Sequence, residues 1–403
     1  MKAFWLLTGA TSVSMAGNTF LYIAVPWALI ESTNSPLLAV LSLAAQAAPY
    51  LAGPFLGAFI DRYDRRWMFA IGELVQCVSV AVIPLLLAMN AIPGVFAALF
   101  VMGLAKVVAD VAADYGIIPT LVPPDRLDQA TSWFSSAQLV ARFAGPAMAG
   151  VLIAATGPGL ALQIDAATFL LTSLTAFFMP RQDRDDEERV ALGTMLRVGF
   201  AYFRSRPDLM RLTFSVALYN LGAGALEPTL LTLGADRWHW SSAAMGIAVS
   251  CGAVAAAIGA WASPLVAARR TRHRRITLWL AVAAAGSLVL LVGSPIIVIA
   301  GFCLLCLGEG GGNAATMAYR QAEIPRELAG RVNAIIRTVV IGAVPVSALL
   351  LGLTVNLTGS VLIFLPVTAT AVLSVFVWTS RRDKPVTTPT PVPVAVGEER
   401  SLR

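Results

Sequence analysis

Charged residues are scarce in this chain of 403 residues, because Asp, Glu, Lys and Arg together make up only 13% of it. Soluble globular domains carry about 25% charged residues, so about half of the charge that covers such a surface is missing. Hydrophobic residues reach 57%, far more than a disordered chain contains. These values exclude a soluble enzyme and a disordered protein, and they indicate a membrane protein.

Cysteine and histidine are also rare, at four and two residues. The cysteines all lie in apolar stretches, at Cys77, Cys251, Cys303 and Cys306. We interpret them as small buried hydrophobic residues, since the Cys303–Cys306 pair has no second pair nearby. His239 and His273 fall in predicted loops without other ligands around them. The sequence therefore predicts no disulfide framework, no metal site and no cofactor.

Motifs of nucleotide chemistry and of catalysis are missing as well. The chain has no phosphate-binding GxxxxGK(S/T) segment, so an ATP-driven pump would need a separate motor chain. It also offers no combination of nucleophile, base and metal ligands. We therefore do not expect an enzyme.

Long apolar runs dominate the sequence instead. A membrane-spanning helix needs about 20 apolar residues, and twelve runs of about this length follow one another: 4–30, 37–60, 67–89, 94–118, 129–155, 160–180, 209–233, 242–266, 276–293, 296–318, 332–355 and 360–379. A charged interval separates the first six runs from the last six. The sequence predicts an all-α membrane protein with twelve transmembrane helices in two sets of six.

The positions of the arginines predict how these helices are oriented, because basic residues collect in cytoplasmic loops. With a cytoplasmic N-terminus, the loops on that side receive nearly all of the arginines between the spans, and the opposite side holds only Arg237. We expect a multi-pass protein of a bacterial inner membrane with both termini in the cytoplasm. The net charge of +6 belongs to these loops, so no nucleic-acid partner is expected.

The same pattern divides the chain into four segments. They are an N-terminal six-helix bundle over 1–180, a cytoplasmic linker over 181–208, a C-terminal six-helix bundle over 209–380 and a disordered cytoplasmic tail over 381–403. Apolar residues at helical spacing with arginines between them predict an amphipathic helix over 192–204, lying on the membrane face. Four prolines and a polar composition indicate disorder in the tail.

The loop between the second and third runs carries the first motif, Gly57-Ala58-Phe59-Ile60-Asp61-Arg62-Tyr63-Asp64-Arg65-Arg66. A glycine, an Asp-Arg pair and a basic pair in this position resemble the signature loop of the major facilitator superfamily. The end of the eighth run repeats it without the acid, as Gly259-Ala260-Trp261-Ala262-Ser263. The resemblance implies the major facilitator fold of two six-helix pseudo-repeats and an inner gate formed by Gly57, Asp61, Arg62, Arg65, Arg66 and Asp114.

The fifth run carries a second motif, Gly145-Pro146-Ala147-Met148-Ala149-Gly150. It resembles an element of the drug:proton antiporters of the same superfamily, with Ala149 in place of a glycine. The resemblance implies that Gly145, Pro146 and Gly150 form a kinked, closely packed helix that resists leakage. Over most of its length the chain is similar to the branch that includes macrolide efflux proteins and siderophore exporters, although Asn18 replaces the acid of the first span.

Ionisable residues inside the spans are the candidates for the transport site, because each costs about 2.5–3.5 kcal/mol at the bilayer centre unless it faces a partner or water. Lys106, Asp110 and Asp114 share one helix face at spacings of four residues. At about 1.5 Å per residue, Lys106 lies near the midplane and Arg142 reaches a similar depth. Asp110 is therefore predicted to pair with Lys106 or Arg142. Asp114 lies at the depth of Arg65 and is predicted to pair with it.

Further acids lie on other spans. Glu309 falls near the midplane within Gly308–Gly312, a glycine run that either opens the helix locally or packs closely. Together with Lys106, Asp110 and Arg142 it completes the predicted cavity or proton-coupling set. Asp165 and Glu227 lie toward the outer face and are candidates for an outer gate. Similar depths predict one structural pair, Glu73 with Arg337.

These features predict a monomeric secondary transporter that exports small amphipathic organic compounds, such as drugs, antibiotics or secondary metabolites. Its partners would be the small-molecule substrate, protons and the lipid bilayer, and it would work by proton antiport with alternating access. Two alternatives stay open. One is a proton-coupled uptake symporter for a nutrient, and the other is a membrane scaffold without transport.

Overall fold

The computed structural model describes residues 2–53, 56, 63–112, 121–122, 127–179, 192–267, 271–358 and 361–380. This part of the chain is helical and contains no strand, which confirms the predicted all-helical fold. In the N-terminal half the structure describes these helices: α1 (Lys2–Thr33), α2 (Pro36–Ala47), α3 (Arg65–Ala88), α4 (Ile92–Ala112), α5 (Leu127–Thr156) and α6 (Pro158–Thr175). Short 3-10 helices, Ala48–Ala52 and Ala176–Phe178, extend α2 and α6.

In the C-terminal half the described helices are α7 (Leu192–Ser205), α8 (Pro207–Ala223), α9 (Leu226–Trp238), α10 (Ser242–Ala267), α11 (Arg272–Leu290), α12 (Pro295–Glu323), α13 (Arg326–Thr358) and α14 (Leu365–Thr379). A 3-10 turn, Val361–Phe364, precedes α14. The helix α7 covers the linker segment for which an amphipathic helix is predicted.

Within the described residues, nine helical segments are long and apolar enough to cross a membrane: Phe4–Thr33, Arg66–Ala88, Ile92–Ala112, Pro158–Phe178, Pro207–Trp238, Ser242–Val266, Pro295–Glu323, Arg331–Val355 and Leu362–Thr379. Shorter apolar helices, Pro36–Ala52 and Ala144–Thr156, fall in two more predicted runs. The remaining run coincides with α11, whose first turn carries several basic residues. The chain is therefore a multi-pass membrane protein.

Local sequence explains where several helices begin. Proline occupies the first turn of α2, α6, α8 and α12, where its missing N–H costs no hydrogen bond. The side chains of Ser35, Asp64 and Thr271 accept hydrogen bonds from backbone N–H groups in the first turns of α2, α3 and α11. Such caps satisfy donors that the helix itself leaves free.

The seventh predicted run is interrupted in the structure, where α8 ends at Ala223 and α9 begins at Leu226. Ser347 of α13 compensates for the break. Its Oγ accepts a hydrogen bond of 3.0 Å from the N–H of Ala225 and donates one of 3.4 Å to the carbonyl of Gly222. A broken helix inside a membrane protein needs such partners, because lipid offers none.

Among the described residues, helices pack both within each half and between the halves. In the N-terminal half α1 packs against α5 and α6, and α3 packs against α4 and α6. In the C-terminal half α12 packs against α10 and α11, and α8 packs against α13 and α14. Between the halves, α2 packs against α13, α5 against α10 and α1 against α9.

Two apolar clusters cross between the halves. One joins Phe20 and Leu29 of α1 to Leu231 of α9 and Met245 of α10. The other joins Val40 of α2 to residues of α9 and α13 that include Leu230 and Leu351. Both lie at the end of the bundle that holds the α9–α10 and α11–α12 turns. We call this the closed end.

The opposite end, which we call the arginine-rich end, holds Arg66, Arg206, Arg272 and Arg320. Its apolar clusters stay within one half. Phe4, Leu7 and Phe69 belong to a cluster built from the N-terminal half, whereas Phe203 and Ile324 belong to one from the C-terminal half. Among the described residues, therefore, an apolar core joins the halves at the closed end but not at the arginine-rich end.

Candidate functional site

A cavity of about 910 Å³ lies between the two halves. It begins beside Leu226 and Val249, at the edge of the apolar core of the closed end, and continues toward the arginine-rich end as far as Thr11 and Phe69. Both halves supply its wall. Binding sites for small organic molecules measure about 300–1,000 Å³ and have mostly apolar walls with a few polar groups. The cavity is therefore large enough to hold a small organic compound.

The apolar part of the wall consists of aromatic and aliphatic side chains from both halves, including Phe69, Phe134, Val249, Phe302, Leu305 and Val344. Charged side chains also reach it: Glu73, Lys106, Asp110, Glu227 and Glu309. Four of these five were candidates from the sequence, and the fifth, Glu73, was assigned only a structural role. The cavity thus combines an apolar surface with a small number of charges.

Lys106 and Asp110 form an ion pair on one face of α4, with 3.4 Å between Nζ and Oδ1. They are four residues apart, a spacing at which helical side chains meet. The hydroxyl of Tyr50 donates a hydrogen bond of 3.0 Å to the other oxygen, Oδ2 of Asp110. Asp110 therefore has a cationic partner and a neutral donor at the same time.

Glu73 lies on α3 beside this pair and is 7% exposed. Its Oε1 accepts a hydrogen bond of 3.4 Å from Gln76, and its Oε2 has no partner. The predicted pairing of Glu73 with Arg337 is wrong, because the Arg337 guanidinium lies over the Tyr50 ring, 5.6 Å from its centre. The prediction used the similar depth of the two residues in the membrane. It did not include the rotation of each helix about its axis, which decides where the side chains point.

In the C-terminal half, the carboxylate of Glu309 accepts a hydrogen bond of 3.4 Å from the hydroxyl of Tyr219. Each half thus carries a cavity acid with a tyrosine donor, Asp110 with Tyr50 and Glu309 with Tyr219. Glu227, in the first turn of α9, also lines the cavity. It lies where the broken helix resumes, at the inner edge of the closed end.

The glycine run beside Glu309 is a close-packing surface. The helix α12 continues through it from Pro295 to Glu323, so the run does not open the helix. A Cβ on Gly308 would meet the backbone of Ala283 on α11, and one on Gly310 would meet the carbonyl of Ala256 on α10. The glycines allow three helices to approach closely behind Glu309.

The motif on α5 contacts helices in both halves. A Cβ on Gly145 would lie 3.1 Å from the Ala16 carbonyl of α1, and one on Gly150 would lie 2.9 Å from the Cα of Gly246 on α10. Pro146, inside the helix, lines the cavity. The three residues therefore bring α5 against its own bundle and against the other half.

Asp165 lies behind α1 rather than in the cavity wall. It is 0% exposed, and its Oδ1 is 2.6 Å from the position that a Cβ on Gly17 would occupy. Neither carboxylate oxygen has a hydrogen-bond partner, since the hydroxyl of Thr168 donates to the backbone carbonyl of Asp165. Only Glu227 of the two outer-gate candidates therefore reaches the cavity.

The inner-gate candidates Gly57, Asp61, Arg62 and Asp114 lie outside the described residues, as do the side chains of Arg65 and Arg142. Arg66 is described. Its Nη1 donates a hydrogen bond of 3.1 Å to the Met179 carbonyl, and its guanidinium lies 5.0 Å from the centre of the Trp67 ring. Arg66 thus joins the beginning of α3 to the end of α6 within the N-terminal half. The inner gate stays a prediction.

A second polar cluster, at the arginine-rich end, was not predicted. Glu323, at the end of α12, forms ion pairs with Arg206 and, at 3.7 Å, with Arg272. The hydroxyl of Tyr202 on α7 donates a hydrogen bond of 2.7 Å to the Glu323 carbonyl, and partial burial raises the pKa of Tyr202. We call Arg206, Arg272, Glu323 and Tyr202 the linker clasp, because they hold α7 against the rest of the C-terminal half.

Known proteins that resemble this chain are transporters. The transporter YfiS of Bacillus subtilis, itself uncharacterised, is 28% identical over 304 residues, which are 72% of this chain and 68% of that protein. The multidrug efflux pump Tap of Mycolicibacterium fortuitum is 24% identical over 370 residues, 86% of this chain and 88% of Tap. Macrolide efflux protein A of Streptococcus pyogenes is 25% identical over 177 residues, 43% of either chain.

Solved structures show the same fold. A bacterial homologue of the iron transporter ferroportin, in its inward-facing state, superposes with a TM-score of 0.75 at 18% identity, over 94% of this chain and 99% of that one. These relatives and the ferroportin homologue are transporters rather than enzymes, which confirms that the chain is not an enzyme. The sequence model of the Major Facilitator Superfamily matches residues 7–341. This membrane chain, with its cavity between two helical halves, belongs to the Major Facilitator Superfamily.

Proposed function

We propose that this protein exports small amphipathic organic compounds from the bacterial cytoplasm by proton antiport. The observation that carries the proposal is the cavity of about 910 Å³, which both halves line and which, among the described residues, a shared apolar core closes at one end. Such a cavity suits a carrier that exposes one binding site alternately to the two sides of a membrane.

The orientation and architecture of the carrier are part of the proposal. We assign twelve spans, a six-helix bundle in each half, an inner-membrane location, cytoplasmic termini and a monomeric state. The arginine-rich end then faces the cytoplasm, in agreement with the distribution of basic residues in membrane proteins. Under this assignment the cavity is accessible from the cytoplasm, and the closed end blocks the periplasmic side.

Alternating access requires the halves to separate at the closed end and to meet at the arginine-rich end. The apolar cluster at the closed end contains side chains from both halves, such as Leu29 and Leu231. These side chains carry no charge, so no ion pair within the cluster opposes their separation. We assign Asp61, Arg65 and Asp114 to the gate that forms at the arginine-rich end in the outward state. Glu227 is assigned to the rim of the closed end.

The cavity wall supports the class of substrate. Aromatic and aliphatic side chains form somewhat more than half of it, beside polar side chains such as Asn18, Gln138 and Asn220, and this combination favours amphipathic compounds. Asp110 and Glu309 are our candidates for proton coupling, with Lys106 and Arg142 as the cations near them. Two relatives are named as efflux proteins, one for macrolides and one for several drugs, and this favours export over uptake.

The test is a susceptibility panel in a bacterial host that lacks its own efflux pumps, with erythromycin, tetracycline and ethidium as probes. We expect the intact protein to protect the cells from at least one probe and Asp110→Asn to abolish that protection. The matched control is Asp208→Asn, because Asp208 pairs with Arg211 outside the cavity at 3.4 Å and its loss should leave protection unchanged. Equal susceptibility with and without the intact protein, shown to be in the membrane, would contradict export of these compounds.

A further inference from the structure

Three charged groups lie together where α3 and α4 face the cavity, and only two of them are paired with each other. Lys106 forms its ion pair with Asp110, and Tyr50 supplies a further donor to Asp110. Glu73 has one long hydrogen bond to Gln76 and an Oε2 without a partner. The side chain of Glu73 is nevertheless more than nine-tenths buried and belongs to the cavity wall.

The helix packing explains why Glu73 lies beside this pair. A Cβ on Gly72 would be 2.9 Å from the Ala105 carbonyl and 3.1 Å from the Cβ of Ala109, so α3 and α4 are in backbone contact at this level. Glu73 follows Gly72, and Lys106 follows Ala105. Of the charged groups around Glu73, Lys106 and Asp110 on α4 act on it most strongly. From α6, Asp165 is the acid within electrostatic range.

Among the described residues, Lys106 is the cation beside these acids, and one cation cannot neutralise all of them. A buried carboxylate without a partner is strongly disfavoured in its ionised form, and it takes up a proton instead. Asp110 has both a cation and a hydroxyl donor, so it keeps its charge most easily. Among the described residues, Glu73 has neither a cation nor a donor on Oε2, and its side chain borders the cavity.

We propose that Glu73 is a proton-binding site of the transport cycle and that Lys106 exchanges between Asp110 and Glu73 when the proton leaves. In the arrangement described here Glu73 carries the proton, and the trio of Glu73, Lys106 and Asp110 is neutral. When the Glu73 carboxyl group releases its proton to water in the cavity, the carboxylate accepts an N–H of Lys106. The ion pair with Asp110 then breaks, and Asp110 retains its hydrogen bond from Tyr50.

This exchange links the proton to the conformation. The neutral trio can be enclosed between the two halves without water. After release of the proton the trio carries one negative charge, which needs water or a positively charged group of a substrate before the cavity can close around it. The role in transport rests on the proposed function, whereas the binding of the proton by Glu73 does not.

The test measures the proton directly, by infrared difference spectroscopy of the purified full-length protein in lipid nanodiscs between acidic and alkaline pH. We expect a carbonyl band of a protonated carboxyl group that disappears as the pH rises. Glu73→Gln should remove this band, and Glu73→Asp should move its frequency. Asp165→Asn is the control for the other buried acid and should leave the band in place.

Asp110→Asn tests the exchange of Lys106. Lys106 then has Glu73 as its nearest carboxylate, so the Glu73 band should already be absent at neutral pH. A titrating band that is unchanged in both Glu73 variants would overturn the proton site. A band that titrates in Asp110→Asn as in the intact protein would overturn the exchange.

The result separates this proposal from the proposed function. A Glu73 band that titrates in a protein that protects cells from none of the probes would leave the proton site standing and contradict export of those compounds. Protection from a probe without any Glu73 band would support export of that compound and contradict the proton site at Glu73. Size-exclusion profiles of all variants, measured in the same preparation, identify any variant that fails to fold. The spectrum of Asp110→Asn reports on the protonation of Glu73 in a protein in which Glu73 itself is unchanged.

Discussion

The guanidinium of Arg337 lies 5.6 Å from the ring centre of Tyr50, and this contact joins α13 of the C-terminal half to the end of α2 in the N-terminal half. A cation over an aromatic face is attracted by the charge distribution of the ring. The same tyrosine donates its hydroxyl to Asp110. A charge in the cavity is therefore connected, through one side chain, to a helix that changes position in the proposed alternating-access cycle.

Tyr50→Phe separates the two roles of this residue. The ring that Arg337 contacts remains, but the hydrogen bond to Asp110 is lost. Because a hydrogen bond to a charged group contributes about 1.5–3 kcal/mol, we expect transport of a protected probe to slow at least about tenfold, measured as ethidium efflux from loaded cells.

Tyr202→Phe is the matched control for Tyr50→Phe, since it removes a hydroxyl that donates to the Glu323 backbone, away from the cavity. Its efflux rate should stay close to that of the intact protein. Equal efflux rates in the two variants would show that the hydroxyl of Tyr50 has no part in transport.

The Lys106–Asp110 pair and the Tyr50 contact differ in how far they could be predicted from the sequence. Lys106 and Asp110 lie on one helix, and a spacing of four residues brings them together wherever that helix packs. Tyr50 and Asp110 are 60 residues apart, and their contact depends on how two helices are rotated about their axes. Glu73 and Arg337 show the same limit, because depth alone suggested a pair that the rotation of α3 and α13 does not allow.

The positions of the helices could be predicted from the sequence, but the break between α8 and α9 could not. Apolar runs predicted where helices lie, since burial in lipid requires length and hydrophobicity. The break between Ala223 and Leu226 was not predicted, because the partner that satisfies its backbone, Ser347, lies more than a hundred residues later in the chain. The glycines of α5 and α12 were recognised, but which helix each one faces became clear only from the packing.

Gly150→Ala should weaken the contact between the halves. The added Cβ would lie 2.9 Å from Gly246 Cα and also against the Ser242 carbonyl, and backbone cannot move away as a flexible side chain can. Overpacking of this kind costs about 1–3 kcal/mol. We expect a lower melting temperature in detergent and reduced protection from the probes.

Gly9→Ala provides the comparison for Gly150→Ala, because a Cβ on Gly9 meets nothing within 4 Å. This variant has the same change of composition in the same half, and its melting temperature should not fall below that of the intact protein, because alanine favours a helix more than glycine does. If the two variants behave alike, the α5–α10 contact at Gly150 is not a tight one.

A disulfide across the closed end should arrest the carrier. A Cβ on Gly352 would lie 3.7 Å from the Cβ of Val40, within the range of about 3.5–4.5 Å that disulfides adopt. In a background in which serine replaces the four native cysteines, we expect Val40→Cys with Gly352→Cys to cross-link under mild oxidation. Because the proposed opening of the closed end separates α2 from α13, efflux should stop and should return after reduction.

The two single-cysteine variants, oxidised in the same way, control for the chemistry itself and should keep their efflux. A double variant that cross-links fully and still transports would show that the closed end does not open during the cycle. That result would contradict the alternating-access part of the proposal rather than the location of the cavity.

The linker clasp offers a separate test, because it lies at the arginine-rich end and outside the cavity. Arg206 and Glu323 have side chains that are 31% and 29% exposed, and ion pairs that water reaches contribute about 0.2–1 kcal/mol. A double-mutant cycle of Arg206→Ala and Glu323→Ala should therefore give a small coupling energy of this size, measured from thermal unfolding.

A second double-mutant cycle, of Arg206 with Arg272, tests whether the two arginines are coupled through Glu323. Arg272 contacts the other carboxylate oxygen of Glu323 at 3.7 Å, so Arg206→Ala alone leaves Glu323 with one cation, whereas Arg206→Ala with Arg272→Ala leaves the acid without either. We expect the double arginine variant to lose more stability than the sum of the single changes, since the remaining arginine no longer compensates. Strictly additive losses would mean that the two arginines are not coupled through Glu323. The contacts that hold α7 would then be the Tyr202 hydrogen bond and the packing of Gly199 against Arg331.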